Sequence, residues 1–288
     1  MPWVACVTAA PSPWNSRSAS PSPATIRVDR LRRSTTLSAM SASVSQATSR
    51  RIFDDAQAAH EDPGHPCHRF VALQAGVSAD HWQLPVPFMG RSANRGIVFL
   101  GLNPSWDPNE VSPRWGCSFA DFDSYSRSVF ASPSTSWPRL YRWYQAIGER
   151  ALDGFRLGED ALVLEVVRYR SAGSAGCNLP TVLDHELPMT AELLGELAPA
   201  AIFCCGSAVL WHLRTMLHDL QVRIPADYRI RSIEGRVYRV TAPWGATAVV
   251  PSRHLTGAFG WSNDARLALG NSLRNALEPG DSSADIGR

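Results

Sequence analysis

Arg95-Gly-Ile-Val-Phe-Leu-Gly-Leu-Asn103-Pro104-Ser105 is the stretch on which the reading of the fold turns. Its apolar residues, Ile97 to Leu100, run without a polar break and stop at Gly101. A run of that kind suits a strand buried on both faces, as the central strands of a parallel sheet are. The polar turn that follows carries Asn103, Pro104 and Ser105. In an open α/β sheet such a turn hands a polar side chain to the cleft at the strand's C-terminal edge. The same residues also suit a plain strand-to-loop turn, with Asn and Pro chosen for backbone geometry. A second polar loop, reaching the same edge from elsewhere in the chain, would separate the two readings.

Working outward, Trp106 to Tyr125 is rich in Pro, Trp, Gly and Phe, too irregular for helix or strand and long for a plain connection, which favours a functional loop. Residues 136–152 read as an amphipathic helix with Leu140, Trp143, Tyr144 and Ile147 on one face. Ala161 to Val167 is a second buried strand, ending in the polar loop that starts at Arg168. Thr190 to Leu197 is helical and Pro199 closes it. Ala200 to Cys205 is a third buried strand, followed by Gly206, Ser207 and a helix to about Leu220. Val237 to Val240 and Thr247 to Val250 read as further strands, and Pro251 to Ser262 as the next loop. Ser262 caps a final helix through Leu277, with Asp264 in its first turn. Upstream, residues 46–60 suit a short helix and the rest up to Arg95 reads as loop. Strands alternating with helices predict one domain over residues 51–278, a three-layer α/β/α fold with a central, mostly parallel sheet. The strand C-termini then share one edge, so the loops of Asn103, Arg168 and His254 converge.

The 288 residues carry 44% hydrophobic content and a net charge of +2, enough for one sizeable core. No apolar run approaches the roughly 20 residues that span a bilayer, so no membrane partner is expected. Lysine is absent: all 28 basic residues are arginine. Lysine-imine chemistry and the phosphate-binding lysine of a P-loop are therefore excluded. Residues 1–50 hold six arginines against the single acid Asp29 and are rich in Ser, Ala, Pro and Thr, which predicts a disordered tail. A transit peptide, a basic arm touching nucleic acid, or a true start at Met40 are also open for this segment. Residues 279–288 are expected to be disordered as well. The six cysteines form no CxxC pair, and Cys204 and Cys205 sit inside an apolar run, which fits a reduced, cytoplasmic setting. The cluster His60, His65, Cys67, His68 invites a metal reading. Its spacing fits no standard zinc pattern, and Pro63 and Pro66 prevent a helix from aligning it, so no metal ligand is assigned.

Asn103, Arg168 and His254 thus share an edge with Trp106, Trp115, Phe119, Phe259 and Trp261 between them, and no nucleophile elbow is present. An amide, an imidazole and flat aromatic faces suit a planar heterocycle, with water as the attacking group. Gly101-Leu-Asn103-Pro-Ser resembles the first motif of the uracil-DNA glycosylase superfamily, in its Gly-x-Asn-Pro form. Residues 199–213 resemble the strand–Gly–helix segment of that family. Ser252-Arg-His254-Leu-Thr256 sits where the family has its second motif, usually His-Pro-Ser. The likeness covers about residues 90–277.

The resemblance implies that Asn103 holds the attacking water and that His254 donates a hydrogen bond to the departing base. Gly101, Leu102 and Ser105 would line the base, and Phe119, or else Trp115, would stack on it. Phe259 would act as a wedge in the duplex beside Trp261, with Arg168, Arg170 and Arg253 on phosphates. Two departures stand out. Where the family's middle strand offers an Asn that reads the pyrimidine edge, Glu165 or Val166 aligns here, and Leu255-Thr256 replaces Pro-Ser. An ionised Glu only accepts hydrogen bonds, so a protonated Glu165 is needed to mimic the amide. The implied activity is removal of a deaminated base, uracil first, from DNA by a monomer without metal, cluster or organic cofactor. A hypoxanthine or xanthine glycosylase, and a non-catalytic nucleic-acid or nucleotide-binding protein on the same fold, remain open. Phe119 is equally suited to a core position.

Overall fold

A computed structural model of the chain describes residues 42–75, 83–104, 112–131, 137–171, 176–256 and 262–278. Five strands form one sheet in the order β2-β1-β3-β5-β4: β1 (Ile97–Gly101), β2 (Ala161–Glu165), β3 (Ala201–Cys205), β4 (Tyr238–Ala242) and β5 (Gly245–Ser252). β1 pairs in parallel with β2 and β3, and β3 with β5. β4 closes the edge as the antiparallel hairpin partner of β5. Every residue of β1, β2 and β3 is buried, as continuous apolar runs demand.

Successive side chains on a strand face opposite ways, so each strand feeds two cores. Ile97, Phe99, Val163, Phe203 and Val250 pack on one face with α4 (Arg139–Ala151) and α9 (Asn263–Leu277). Val98, Leu100, Leu162, Ile202 and Val249 pack on the other, with α1 (Gln46–Glu61), α2 (His68–Ala75), α5 (Pro180–Leu197) and α6 (Ser207–Met216). The layering is α/β/α. On the first face Tyr144 of α4 stacks on Phe99 at 4.5 Å, and Phe99 meets Phe203 at 5.4 Å between centroids. Each such pair adds about 0.5–1.5 kcal/mol beyond its buried area, and the Tyr144–Phe99 pair fixes how α4 lies on the sheet. The remaining helices are α3 (Phe119–Ser128), α7 (His218–Arg223) and α8 (Ile230–Ile233).

Several boundaries differ from the sequence reading. The domain begins before residue 51: Ser45 caps α1 by accepting from the Thr48 amide, and Val44 is buried. Residues 68–75 are helix, not loop. The stretch Trp106 to Tyr125 is not irregular throughout, because α3 starts at Phe119 behind a capping box in which Ser118 and Asp121 satisfy each other's backbone amides. α5 begins at Pro180, ten positions before Thr190. Pro180 sits in its first turn, where a missing N–H costs nothing, and the helix runs through Pro188. The helix after Ser207 breaks at Leu217 into α6 and α7. β2 stops at Glu165, so Val166 and Val167 leave the sheet. The expectations for residues 1–41 and 279–288 lie outside the described residues. Among the described residues, no helix is long and apolar enough to cross a membrane.

Candidate active site

The chain leaves β1 toward β2 on one side and returns to β3 on the other, which opens a crevice at the C-terminal edge of the sheet. Neighbouring strands lie about 4.8 Å apart, so β1 and β5, with β3 between them, present their loops about 10 Å from each other. Asn103 and His254 each stand two residues beyond the last residue of their strand, Gly101 and Ser252.

Asn103 is oriented by its neighbours. Its Nδ2 donates to Ser171 Oγ at 2.8 Å and to the Pro104 carbonyl at 3.2 Å. The Ser171 amide donates back to the Pro104 carbonyl, tying the β1 and β2 loops together. With both amide hydrogens engaged, Oδ1 is left as an acceptor on the other side of a half-buried side chain. Leu102 is half-buried against the core, and its carbonyl accepts the Val167 amide.

Glu165 lies directly beside Gly101 on the paired strand. A Cβ on residue 101 would overlap the Glu165 carboxylate, so any larger residue there forces that side chain to move. Glu165 is buried, and its Oε2 has no hydrogen-bond partner among the described residues. Burial pushes its pKa up to about 8, with Arg170 pulling the other way, so the carboxyl is protonated at neutral pH. The Tyr144 hydroxyl is buried beside the Cys205 thiol, and burial raises its pKa well above the usual phenol value. Cys205, on the same face, is pushed up to about 11 by burial. Protonated Glu165, Tyr144 and Cys205 thus form a neutral polar cluster under the crevice.

The His254 loop is held from below. Leu255 is fully buried, and its carbonyl accepts from Arg266 of α9 at 3.0 Å. Arg266 in turn lies over the Trp143 ring at 4.8 Å. Leu255, the residue that departs from the usual motif, is therefore the hydrophobic anchor of this loop. His254 itself is exposed, and Thr256 Oγ1 lies 2.9 Å from its Nδ1. Desolvation lowers its pKa, favouring the neutral ring. A hydroxyl donating to Nδ1 leaves Nε2–H as an outward donor.

Other expected site residues are engaged elsewhere. Arg168 is fully buried, in a two-pronged pair with Glu186 at 2.6 and 3.0 Å, and it reaches Asp55 at 3.3 Å. It cannot meet a phosphate. Arg170 is also buried and donates to the Tyr125 hydroxyl at 3.3 Å, so it too is part of the interior. Arg253 is half-buried and paired with Glu234 through Nε at 3.0 Å, so a phosphate would have to displace that carboxylate. Trp115 stacks on His60 at 3.7 Å. The Phe119 ring is capped by the Arg50 guanidinium at 3.8 Å and packs edge-on to Phe53. Both aromatics have a partner of the chain's own on a ring face. Ser105, Phe259 and Trp261 lie outside the described residues.

Ser171 and Tyr144 were not legible as site residues, because only the tertiary pairing of strands and helices brings them here. A separate group, Asp55, His65, Cys67, His185 and Glu186, gathers around Arg168 on the other face of the sheet. Two of its five members were visible in the His65-Pro-Cys67 turn; Asp55 comes from α1, and His185 and Glu186 from α5. Compared with protein-family models and with curated protein sequences, the chain matches none.

Proposed function

We propose that this chain is a monofunctional DNA glycosylase of the uracil-DNA glycosylase superfamily, a cytoplasmic monomer that hydrolyses the N-glycosidic bond of a deaminated base, uracil first. The observation that carries the reading is the pair Asn103 and His254, on one sheet edge two strands apart, each oriented by a hydroxyl neighbour. Asn103 Oδ1 orients water toward the anomeric carbon. The glycosidic bond breaks as the water oxygen bonds to that carbon, and the base departs with the electron pair. His254 Nε2–H meets the base's carbonyl oxygen and stabilises the developing negative charge, a contribution of about 3–4 kcal/mol for one preorganised donor. The water's proton reaches the departed base through solvent. Protonated Glu165 carries one O–H donor and one carbonyl acceptor, the pair an amide offers to a pyrimidine edge. Phosphate contacts fall to residues other than Arg168 and Arg170.

A nucleotide-binding protein without catalysis is favoured by one observation: Trp115 and Phe119 already stack on His60 and Arg50. Incubation with a uracil-containing oligonucleotide, followed by alkali, separates the readings. Strand cleavage that disappears in Asn103→Ala and His254→Ala supports the enzyme. Retardation of the oligonucleotide in a gel with no abasic product, across uracil, hypoxanthine and xanthine, refutes it.

A further inference from the structure

α6 leaves the sheet edge at the centre of the crevice. It starts at Ser207, directly after β3, and the Gly206 amide donates to the carbonyl of Ser252, two residues before His254. It carries Trp211 and, three residues on, Arg214. Trp211 is 45% exposed. Arg214 is only 7% exposed, and its guanidinium lies over two rings, 5.4 Å from the centre of Trp211 and 5.9 Å from that of Tyr228. Tyr228 is fixed in turn by its hydroxyl, which donates to the Ser207 carbonyl at 2.8 Å. Arg214 Nε is buried without a hydrogen-bond partner, and no carboxylate among the described residues pairs with this side chain.

Burying a cation without a counter-charge is costly. Arg168, deeper in the protein, has two carboxylates. Arg214 has two aromatic rings in their place, which attract a guanidinium but leave its charge uncancelled. An anion arriving from outside supplies the missing partner. The chain beyond Tyr228 extends the same character. Residues 51–288 hold 22 arginines against 25 acids, yet Tyr228 to Arg236 holds three arginines and one acid. That acid, Glu234, is engaged by Arg253 beside His254, and the Gly235 amide donates to the Pro251 carbonyl. The run is thus pinned at one end to the start of α6 and at the other to the end of β5, so it borders the crevice. Arg229 and Arg231 on it are exposed, with no ion-pair partner among the described residues.

We propose that Trp211, Arg214, Arg229 and Arg231 form a binding track for single-stranded DNA beside the crevice, an inference that rests on the crevice being a DNA site but not on its catalysis. At ~1.5 Å per residue, Trp211 and Arg214 stand ~6 and ~10 Å along α6 from Ser207, within reach of the nucleotides that flank a base held at Asn103. An exposed indole next to a guanidinium suits a single strand: the ring stacks on a base and the cation meets the backbone. Stacking needs a base whose face is free, which a paired and stacked duplex does not offer. An acidic peptide would meet the arginines and gain nothing from Trp211.

The test measures, by fluorescence anisotropy over a range of salt, binding of a short labelled oligothymidylate to the full chain. The probe carries no uracil, so binding is read apart from base release. The expected result is tighter binding of the single strand than of the same strand paired with its complement. Trp211→Ala weakens binding about 5–100-fold, and Trp211→Phe keeps most of the affinity. Changing Arg229 and Arg231 together to Ser lowers the salt slope by about 1.4, at about 0.7 for each phosphate contact on a single strand. Arg214→Met lowers the slope by about 0.7 and leaves or raises the melting temperature, because it removes an unpaired buried cation. An arginine of merely structural role would lower the melting temperature and leave the slope alone. Binding unchanged in Trp211→Ala and in the Arg229, Arg231 double variant overturns the proposal. So does failure to bind oligothymidylate, or equal affinity for the duplex or for polyglutamate. Base release is scored separately on a uracil-containing single strand. If Asn103-dependent release persists while those variants bind normally, the track is refuted and the crevice reading stands. If the variants behave as expected and the unsubstituted chain releases no base, the track stands and the catalytic reading falls.

Discussion

Glu165→Gln keeps the shape of a buried side chain and removes its ionisation. In the folded chain burial holds the Glu165 carboxyl at about 8, against an ordinary value of 4.5. The folded state therefore binds the proton more tightly than the unfolded state. Below about pH 4.5 both states are protonated and Glu165 has no pH-dependent effect. As pH rises, the unfolded chain ionises and the folded chain does not, so stability falls until about pH 8 and then levels off. One pKa unit is about 1.4 kcal/mol, which puts the loss at about 3 kcal/mol at pH 7 and between 4 and 5 kcal/mol above about pH 9. The Gln variant escapes this loss, less about 1 kcal/mol for an amide imperfectly paired beside Gly101 and Tyr144. Urea unfolding of both proteins between about pH 5 and pH 9 measures the difference. The expected curve is near zero or slightly unfavourable to Gln at about pH 5, and favours Gln by about 2 kcal/mol at pH 7 and more at pH 9. A difference that stays flat across this range would show that Glu165 is not a buried acid of raised pKa. A difference that shrinks as pH rises would show that the carboxylate is paired in the folded state. In the glycosylase reading the Gln variant also keeps base release at about pH 9, where ionised Glu165 has lost its donor.

Gly101→Ala puts a methyl group into the Glu165 carboxylate and is expected to cost about 1–3 kcal/mol by overpacking. In a Glu165→Ala background most of that cost disappears, so the double-mutant cycle shows coupling, and simple additivity refutes the contact. Arg168→Met leaves the Glu186 and Asp55 carboxylates without their buried cation, with an expected loss of about 3–5 kcal/mol in chemical denaturation. A melting temperature unchanged by Arg168→Met, combined with weaker DNA binding and a smaller salt dependence, would put Arg168 back on a phosphate. Ser171→Ala removes the acceptor that orients Asn103 and, at about 1–1.5 kcal/mol for the lost bond, lowers kcat roughly 5–10-fold with KM little changed. An effect on KM alone would mean that Ser171 does not act through Asn103.

The parallel sheet was legible because its strands are written as unbroken apolar runs, each ending in a small or polar residue. Ile97–Gly101, Ala161–Glu165 and Ala201–Cys205 meet that description, and all three lie in the sheet within two residues of the reading. The helices were less legible where a local signal was overridden or short. Pro188 inside α5 hides the first half of that helix, and with it the fact that His185 and Glu186 share a rigid element. The capping box at Ser118 was present in the sequence, yet the aromatic and proline content before it masked the start of α3. Local propensity speaks for a stretch of chain only until tertiary packing supplies a stronger term.

The site was legible in part for a related reason. A polar residue two positions past a buried strand faces the crevice only if the chain there stays at the edge. Asn103 and His254 satisfy this condition. Arg168 does not, because after Glu165 the chain turns inward: Val166 and Val167 are buried, and their amides bond back to the carbonyls of Gly101 and Leu102. The same short run then serves three purposes. Glu165 stands against Gly101 under the crevice, Arg168 ties Asp55 to Glu186 on the opposite face, and Ser171 returns to hold Asn103. Residues 165–171 are thus internal scaffold between the crevice and the Asp55–His185 cluster. Their arginines read as nucleic-acid contacts because Arg is rarely buried. What made burial possible is a carboxylate partner 18 residues away on α5, and no local pattern around Arg168 announces it. A mutation at that cluster would therefore reach Asn103 through the short buried run from Arg168 to Ser171.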